Sequence, residues 1–169
     1  MSKKEISILA VLAALIAAAV IAVVAVRANR QPETVIGQFT PPPFASEPCE
    51  GTPDPAQVEN LPYGTLTLKE GIAVSMVSDV AVNEQGSAEV WFTSHPDNTA
   101  WVMLRLMDEK GNVLAESGLL KPGQYIRALQ LDVIPKRSGL IVARILTYEP
   151  ETYFSLGSAN AQVMLNVAK

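Results

Sequence analysis

The sequence predicts an all-β domain, an antiparallel sandwich of about seven strands over residues 63–169, preceded by one membrane-spanning helix and a Pro-rich linker. Three observations predict it. Strand-length apolar runs alternate with turn signals after Tyr63, an apolar stretch fills residues 6–26, and eight of the twelve prolines fall within residues 31–62.

Within residues 6–26 only Ser7 is polar. At about 1.5 Å per residue a helix of this length reaches about 30 Å, the thickness of a bilayer hydrocarbon core. A secretory leader has a shorter apolar region, of about 7 to 15 residues, and the one passable cleavage pattern is Val26-Arg27-Ala28, so the segment reads as an uncleaved signal-anchor. No Cys follows it directly, which leaves a lipoprotein anchor unsupported. Lys3 and Lys4 nearly balance Arg27 and Arg30 across the span. The short tail, residues 1–5, and the linker and strand-rich domain behind the span therefore decide the orientation: amino terminus in the cytoplasm, domain outside. Ala10, Ala14, Ala18 and Ala22 recur every four residues and offer a small-residue ridge for self-association, although a segment this rich in alanine produces such a ridge by composition alone.

Residues 27–62 read as a linker. From residue 31 onward it holds Glu33, Glu47, Glu50, Asp54 and Glu59 and no Lys or Arg. Proline fixes φ and lacks an N–H for a strand ladder, so the stretch is expected to be an extended, solvated spacer. Pro41-Pro42-Pro43 could instead dock in an aromatic groove, but a single triplet is weak support. Cys49, between Pro48 and Glu50, is expected to be exposed, either as a link between two chains or as an unreactive thiol.

The strands follow in order. Residues 72–82 alternate loosely and end at Asn83-Glu84-Gln85-Gly86. Residues 88–93 form a second strand, closed by Ser94-His95-Pro96-Asp97-Asn98. Residues 101–108 and 113–117 flank Glu109-Lys110-Gly111-Asn112, a hairpin signal. Lys121-Pro122-Gly123 turns the chain into residues 124–133, residues 135–139 turn it into 140–148, and 160–167 complete the set. No amphipathic helix interrupts them, and the pattern predicts an immunoglobulin-like antiparallel sandwich. About 105 residues bury enough core to fold from Tyr63 onward without metal or disulfide.

Residues 108–126, DEKGNVLAESGLLKPGQYI, resemble the strand, Gly-Asn turn, strand and Pro-Gly bend of immunoglobulin-like or fibronectin-III-like domains in bacterial membrane-anchored extracytoplasmic proteins. The resemblance covers about a fifth of the chain and implies a domain that binds or spaces rather than catalyses. It transfers no residue role, since the Cys pair of antibody domains is absent.

A net charge of −4 and a pI near 5.0 give no basic footprint for nucleic acid. One Cys excludes an intramolecular disulfide, and no Cys/His cluster has zinc spacing. The only histidine, His95, sits in a loop without a recognisable nucleophile, Asp97 and Asn98 fall far short of a calcium site, and Glu149 and Glu151 flank Pro150 in a turn. No enzyme, cofactor or metal is expected.

Two strands are apolar on both faces. In one, Val102, Leu104 and Leu106 face one way, and Trp101, Met103, Arg105 and Met107 the other. In the second, Ile141, Ala143 and Ile145 oppose Leu140, Val142, Arg144, Leu146 and Tyr148. If these strands are neighbours, with Met164 of the last strand alongside, Trp101, Met103, Arg105, Met107, Arg144, Leu146, Tyr148 and Met164 form one partner-binding face. Exposed apolar area with Trp, Tyr, Met and Arg is typical of interaction sites. The expected protein is a single-pass surface or envelope protein displaying a non-catalytic binding module for another envelope macromolecule. A structural subunit of an envelope complex or filament is the alternative, and an extracytoplasmic hydrolase of unknown type a second.

Overall fold

A computed structural model of the chain describes residues 39–168. The expected anchor at residues 6–26, with its alanine ridge, lies outside the described residues, among which no helix is long and apolar enough to cross a membrane. From Pro41 onward the chain forms one unit. It is mostly β, with 54% strand and 5% helix, curled into a half-barrel.

Ten strands build it: β1 (Cys49–Glu50), β2 (Tyr63–Thr67), β3 (Ala73–Val77), β4 (Asp79–Val82), β5 (Ser87–Ser94), β6 (Trp101–Met107), β7 (Val113–Leu120), β8 (Gln124–Gln130), β9 (Gly139–Tyr148) and β10 (Ser155–Val167). The only α-helix among the described residues is α1 (Pro55–Val58). Along the sheet the order is β1-β8-β5-β4-β10-β9-β6-β7, with β3 on β5 and β2 on β3. All pairings between strands are antiparallel except β4 with β10, which run parallel, a departure from the purely antiparallel sandwich expected. The single strand expected over residues 72–82 is divided at Ser78: β3 pairs with β5 near Val74 and Ser75, and β4 reaches β10.

Period-two patterning fixes which side faces in. In β9, Ile141, Ala143, Ile145 and Thr147 are buried, and every residue between them is half-buried. Val102, Leu104 and Leu106 of β6 are wholly buried beside Ile145, Leu165 and Phe92. Each such Leu stabilises the fold by roughly 1.5–3 kcal/mol relative to exposure. In β5 the register steps from Glu89 opposite Ala128 to Phe92 opposite Ile126, so one extra residue is inserted. Trp91 sits at this bulge with φ +46°, which lets Val90 and Trp91 both be buried.

The largest departure from the sequence reading is the linker. Its boundary at residue 62 does not hold, because residues 43–51 are bonded to two strand edges as a strap. Leu119 N–H donates to the Pro43 carbonyl at 2.8 Å, and Ala45 N–H to the Leu119 carbonyl at 3.0 Å. Farther on, Cys49 and Glu50 pair with Tyr125 and Gln124 of β8. Gly51 N–H donates to the Gly123 carbonyl at 2.6 Å, and Gln124 Nε2 to Glu50 Oε1 at 2.7 Å. The strap thus bonds to β7 at one end and to β8 at the other, satisfying edge groups on both. Then α1 follows, capped by Asp54 through Ala56 N–H, and β2 completes the segment.

Gly118 fixes how close the strap lies. Its φ is +70°, and a Cβ there would fall 2.7 Å from Ala45 N and 2.8 Å from Phe44 C. Gly118→Ala combines an unfavourable backbone conformation with a clash, so it should destabilise the domain by about 1 kcal/mol or more in denaturant titration. The Ala45 amide should lose hydrogen-exchange protection at the same time. Unchanged stability and protection would show that the strap is not seated there.

Candidate functional site

The outer face of the β7-β6-β9-β10 layer is where the expected binding residues meet. Pairing of β6 with β9 sets Trp101 opposite Tyr148, Met103 opposite Leu146, Arg105 opposite Arg144, and Met107 opposite Val142. Pairing of β9 with β10 sets Arg144 opposite Asn160 and Leu140 opposite Met164. All eight residues singled out from the sequence therefore lie on one surface of neighbouring strands.

They do not share one environment. Met103 is 2% and Met107 8% exposed, so both form the floor and offer no surface to a partner. Met103 lies opposite Leu119, which is wholly buried and carries the strap's two hydrogen bonds. Trp101 is half-buried because Phe44 and Tyr153 meet its ring edge-on, with centroids at 4.9 and 5.1 Å. Lys121 Nζ lies 5.1 Å from the Phe44 ring on the strap's flank. The segment expected to be solvated thus covers the Trp101 end. Arg105, Arg144, Leu146 and Tyr148 are half-buried, and Leu140, Met164 and Val113 are exposed. These form the open part.

Two guanidinium groups at directly opposed positions repel unless compensated. Arg105 forms an ion pair with Glu116 of β7. Arg144 Nε donates to Asn160 Oδ1 at 3.0 Å, a neutral acceptor, and no carboxylate forms an ion pair with Arg144 among the described residues. The centre of the face is therefore net cationic within an apolar border. Glu116 and Asn160 were not singled out from sequence; the signal that could have found them is their outward position on strands next to β6 and β9.

Elsewhere, His95 acquires a partner the sequence did not reveal. Its Nε2 lies 3.0 Å from Ser75 Oγ, which lies 2.8 Å from Thr65 Oγ1. Ser75 is 2% exposed, and no carboxylate bonds the imidazole among the described residues, so the chain of hydroxyls ties β2, β3 and the His95 loop together. Among the same residues no group of three His, Cys, Asp or Glu could hold a metal. Cys49 is exposed, as expected, but sits in β1 rather than in a free spacer. Opposite it, burial pushes the Tyr125 phenol up, reinforced by the Cys49 thiol. Tyr125 stacks on Trp91, centroids 6.2 Å apart, and Arg127 lies over the same indole at 5.1 Å. Trp91 Nε1 is buried without a hydrogen-bond partner.

The β6–β7 hairpin that carries Arg105 and Glu116 is held by Asp108, whose carboxylate accepts from the Asn112 side chain at 2.7 Å and from the backbone N–H groups of Asn112 and Lys110. The Asn112 side-chain bond, foremost, holds the Asp108 carboxyl below its ordinary value. A depressed folded-state value stabilises the turn above the unfolded carboxylate range and loses that contribution as pH falls through the folded value. Amide protection at Lys110 and Asn112 should therefore persist from neutral pH to the ordinary carboxylate range and fall below it, whereas Asp108→Ala should abolish the dependence. A pH-independent turn in the parent chain would contradict this.

Comparison with models of known protein families, with characterised proteins and with solved structures finds no match to this chain.

Proposed function

We propose that the chain is a single-pass membrane-anchored protein whose immunoglobulin-like domain, outside the membrane, binds another macromolecule of the envelope or surface and does not catalyse. One observation carries the binding reading: the β6–β9–β10 register gathers Arg144, Leu146, Tyr148, Leu140 and Met164 on an open sheet face with a cationic centre. Residues of these types are the ones enriched at interaction sites.

The immunoglobulin-like reading is supported by the division of the first long strand. Its β3 half pairs with β5, which also carries β8, and its β4 half runs parallel to β10 beside β9, β6 and β7, while Ala81 and Val82 of β4 also pair with β5 and keep the two groups in one sheet. The anchor reading is supported by the 21 nearly all-apolar residues at 6–26. Since the strap belongs to the domain, the spacer is shorter than the linker boundary implied. Residues 27–40 remain, which reach about 40 Å at polyproline rise.

A photo-crosslinking amino acid at Tyr148 or Leu140 of the full chain, in intact cells, should give an adduct of one discrete mass, while the same group at Arg127, on β8, should not. Tyr148→Ala should lower adduct yield more than about tenfold if Tyr148 is a hot spot, with a melting temperature within a few degrees of the parent. Equal labelling from both positions, or none from Tyr148 and Leu140, would refute the binding face.

A further inference from the structure

Strand β10 is 13 residues long, yet β4 accompanies it only from Met164 onward. From Leu156 to Val163 its second edge makes no strand pairing and no backbone hydrogen bond among the described residues. Proteins normally blunt such an edge with Lys, Pro or a bulge. The stretch GSANAQV, residues 157–163, has no charge and no Pro, and the one register irregularity of β10 lies before it, between Ser155 and Gly157. Two cavities of about 250 and 200 Å³ border the edge, one between Leu156 to Ala159 and Leu68 to Ile72, the other between Ala161 to Val163 and Pro62 to Leu66 at β2. Across these gaps no strand of the chain pairs with the edge among the described residues.

We propose that this edge pairs antiparallel with the same edge of a second copy, about a two-fold axis at Asn160. In that register Ser158 faces Gln162, Ala159 faces Ala161 and Gly157 faces Val163, so no like charges are opposed. Charge complementarity selects a second copy over an unrelated strand. Lys69 lines the cavity at the Leu156 end, and Asp79 lies opposite Met164 at the other end. Neither has an ion-pair partner among the described residues; the Asp79 carboxylate accepts only from Asn166. The two-fold axis brings the Lys69 end of each copy against the Asp79 end of the other, twice. Such a contact is self-complementary and closes as a dimer. It uses the backbone edge of β10 rather than the side chains of Arg144 and Tyr148, although Asn160 at its axis also accepts from Arg144, so the two contacts adjoin.

The test uses the full chain in mild detergent, with Cys49→Ser to remove adventitious linkage. Light scattering should give a protein mass of about 36 kDa, twice the 18.1 kDa of one chain. S158K/Q162K opposes lysine to lysine at two places and should return the mass to 18.1 kDa without lowering the melting temperature, since both positions are exposed in one copy. S158E/Q162K opposes unlike charges and should restore the dimer. N160C should form a disulfide-linked dimer on oxidation, because opposed residues of antiparallel strands lie about 4.5–5.5 Å apart at Cα. A monomeric parent chain, a dimer that survives S158K/Q162K, or a folded S158E/Q162K that stays monomeric would overturn the proposal. Should S158K/Q162K fail to fold, N160C decides: no crosslink beyond that of an N112C control overturns it.

Discussion

The backbone hydrogen bonds from residues 43–51 to the edges of β7 and β8 are the constraint on which the rest of the structure depends. A curled sheet that stops short of closure leaves unpaired N–H and C=O groups at its ends, and β7 and β8 provide two such edges. The strap satisfies Leu119 on one side and pairs Tyr125 and Gln124 on the other. Each bond contributes about 1 kcal/mol net, and leaving a buried partner unsatisfied costs more. The same few residues bring Phe44 onto Trp101. Edge satisfaction and aromatic cover are thus one interaction seen from two sides.

That cover divides the outer face. A strand apolar on both sides needs two covers, and β6 receives the core on one side and Phe44 with Tyr153 at the Trp101 end of the other. Farther along β6 and β9 the cover ends, and the Arg105–Arg144 pair follows, with a carboxylate for the first and an amide for the second. An ion pair this exposed contributes at most about 1 kcal/mol to stability. Placing two cations at one register position is therefore poorly explained by stability, and the proposed binding face would account for it.

Much of the β architecture was legible because it obeys period two. β9 alternates without fault, and β5, β6 and β7 begin within a residue of where the patterning placed them. The first half of β10 was missed, since SLGSA holds no β-branched residue and becomes strand by pairing with β9. The strap was missed for a physical reason. Proline lacks a donor, but its carbonyl still accepts, as Pro43 does from Leu119, and edge positions tolerate proline. The joining of Trp101, Arg105, Arg144, Leu146 and Tyr148 was legible from two-sided apolar strands. The burial of Met103 and Met107 was not, because neighbours such as Leu119 and Val142 become neighbours only through the fold.

The central claim is that residues 41–62 belong to the folded unit rather than to a spacer. Thermal unfolding followed by circular dichroism, for residues 41–169 against residues 63–169, tests it most directly. The longer chain should unfold cooperatively, and the shorter should melt at least about 10 °C lower or lose cooperativity, given several hydrogen bonds and the two aromatic contacts of Phe44 removed. Equal melting temperatures with equal cooperativity would contradict the account.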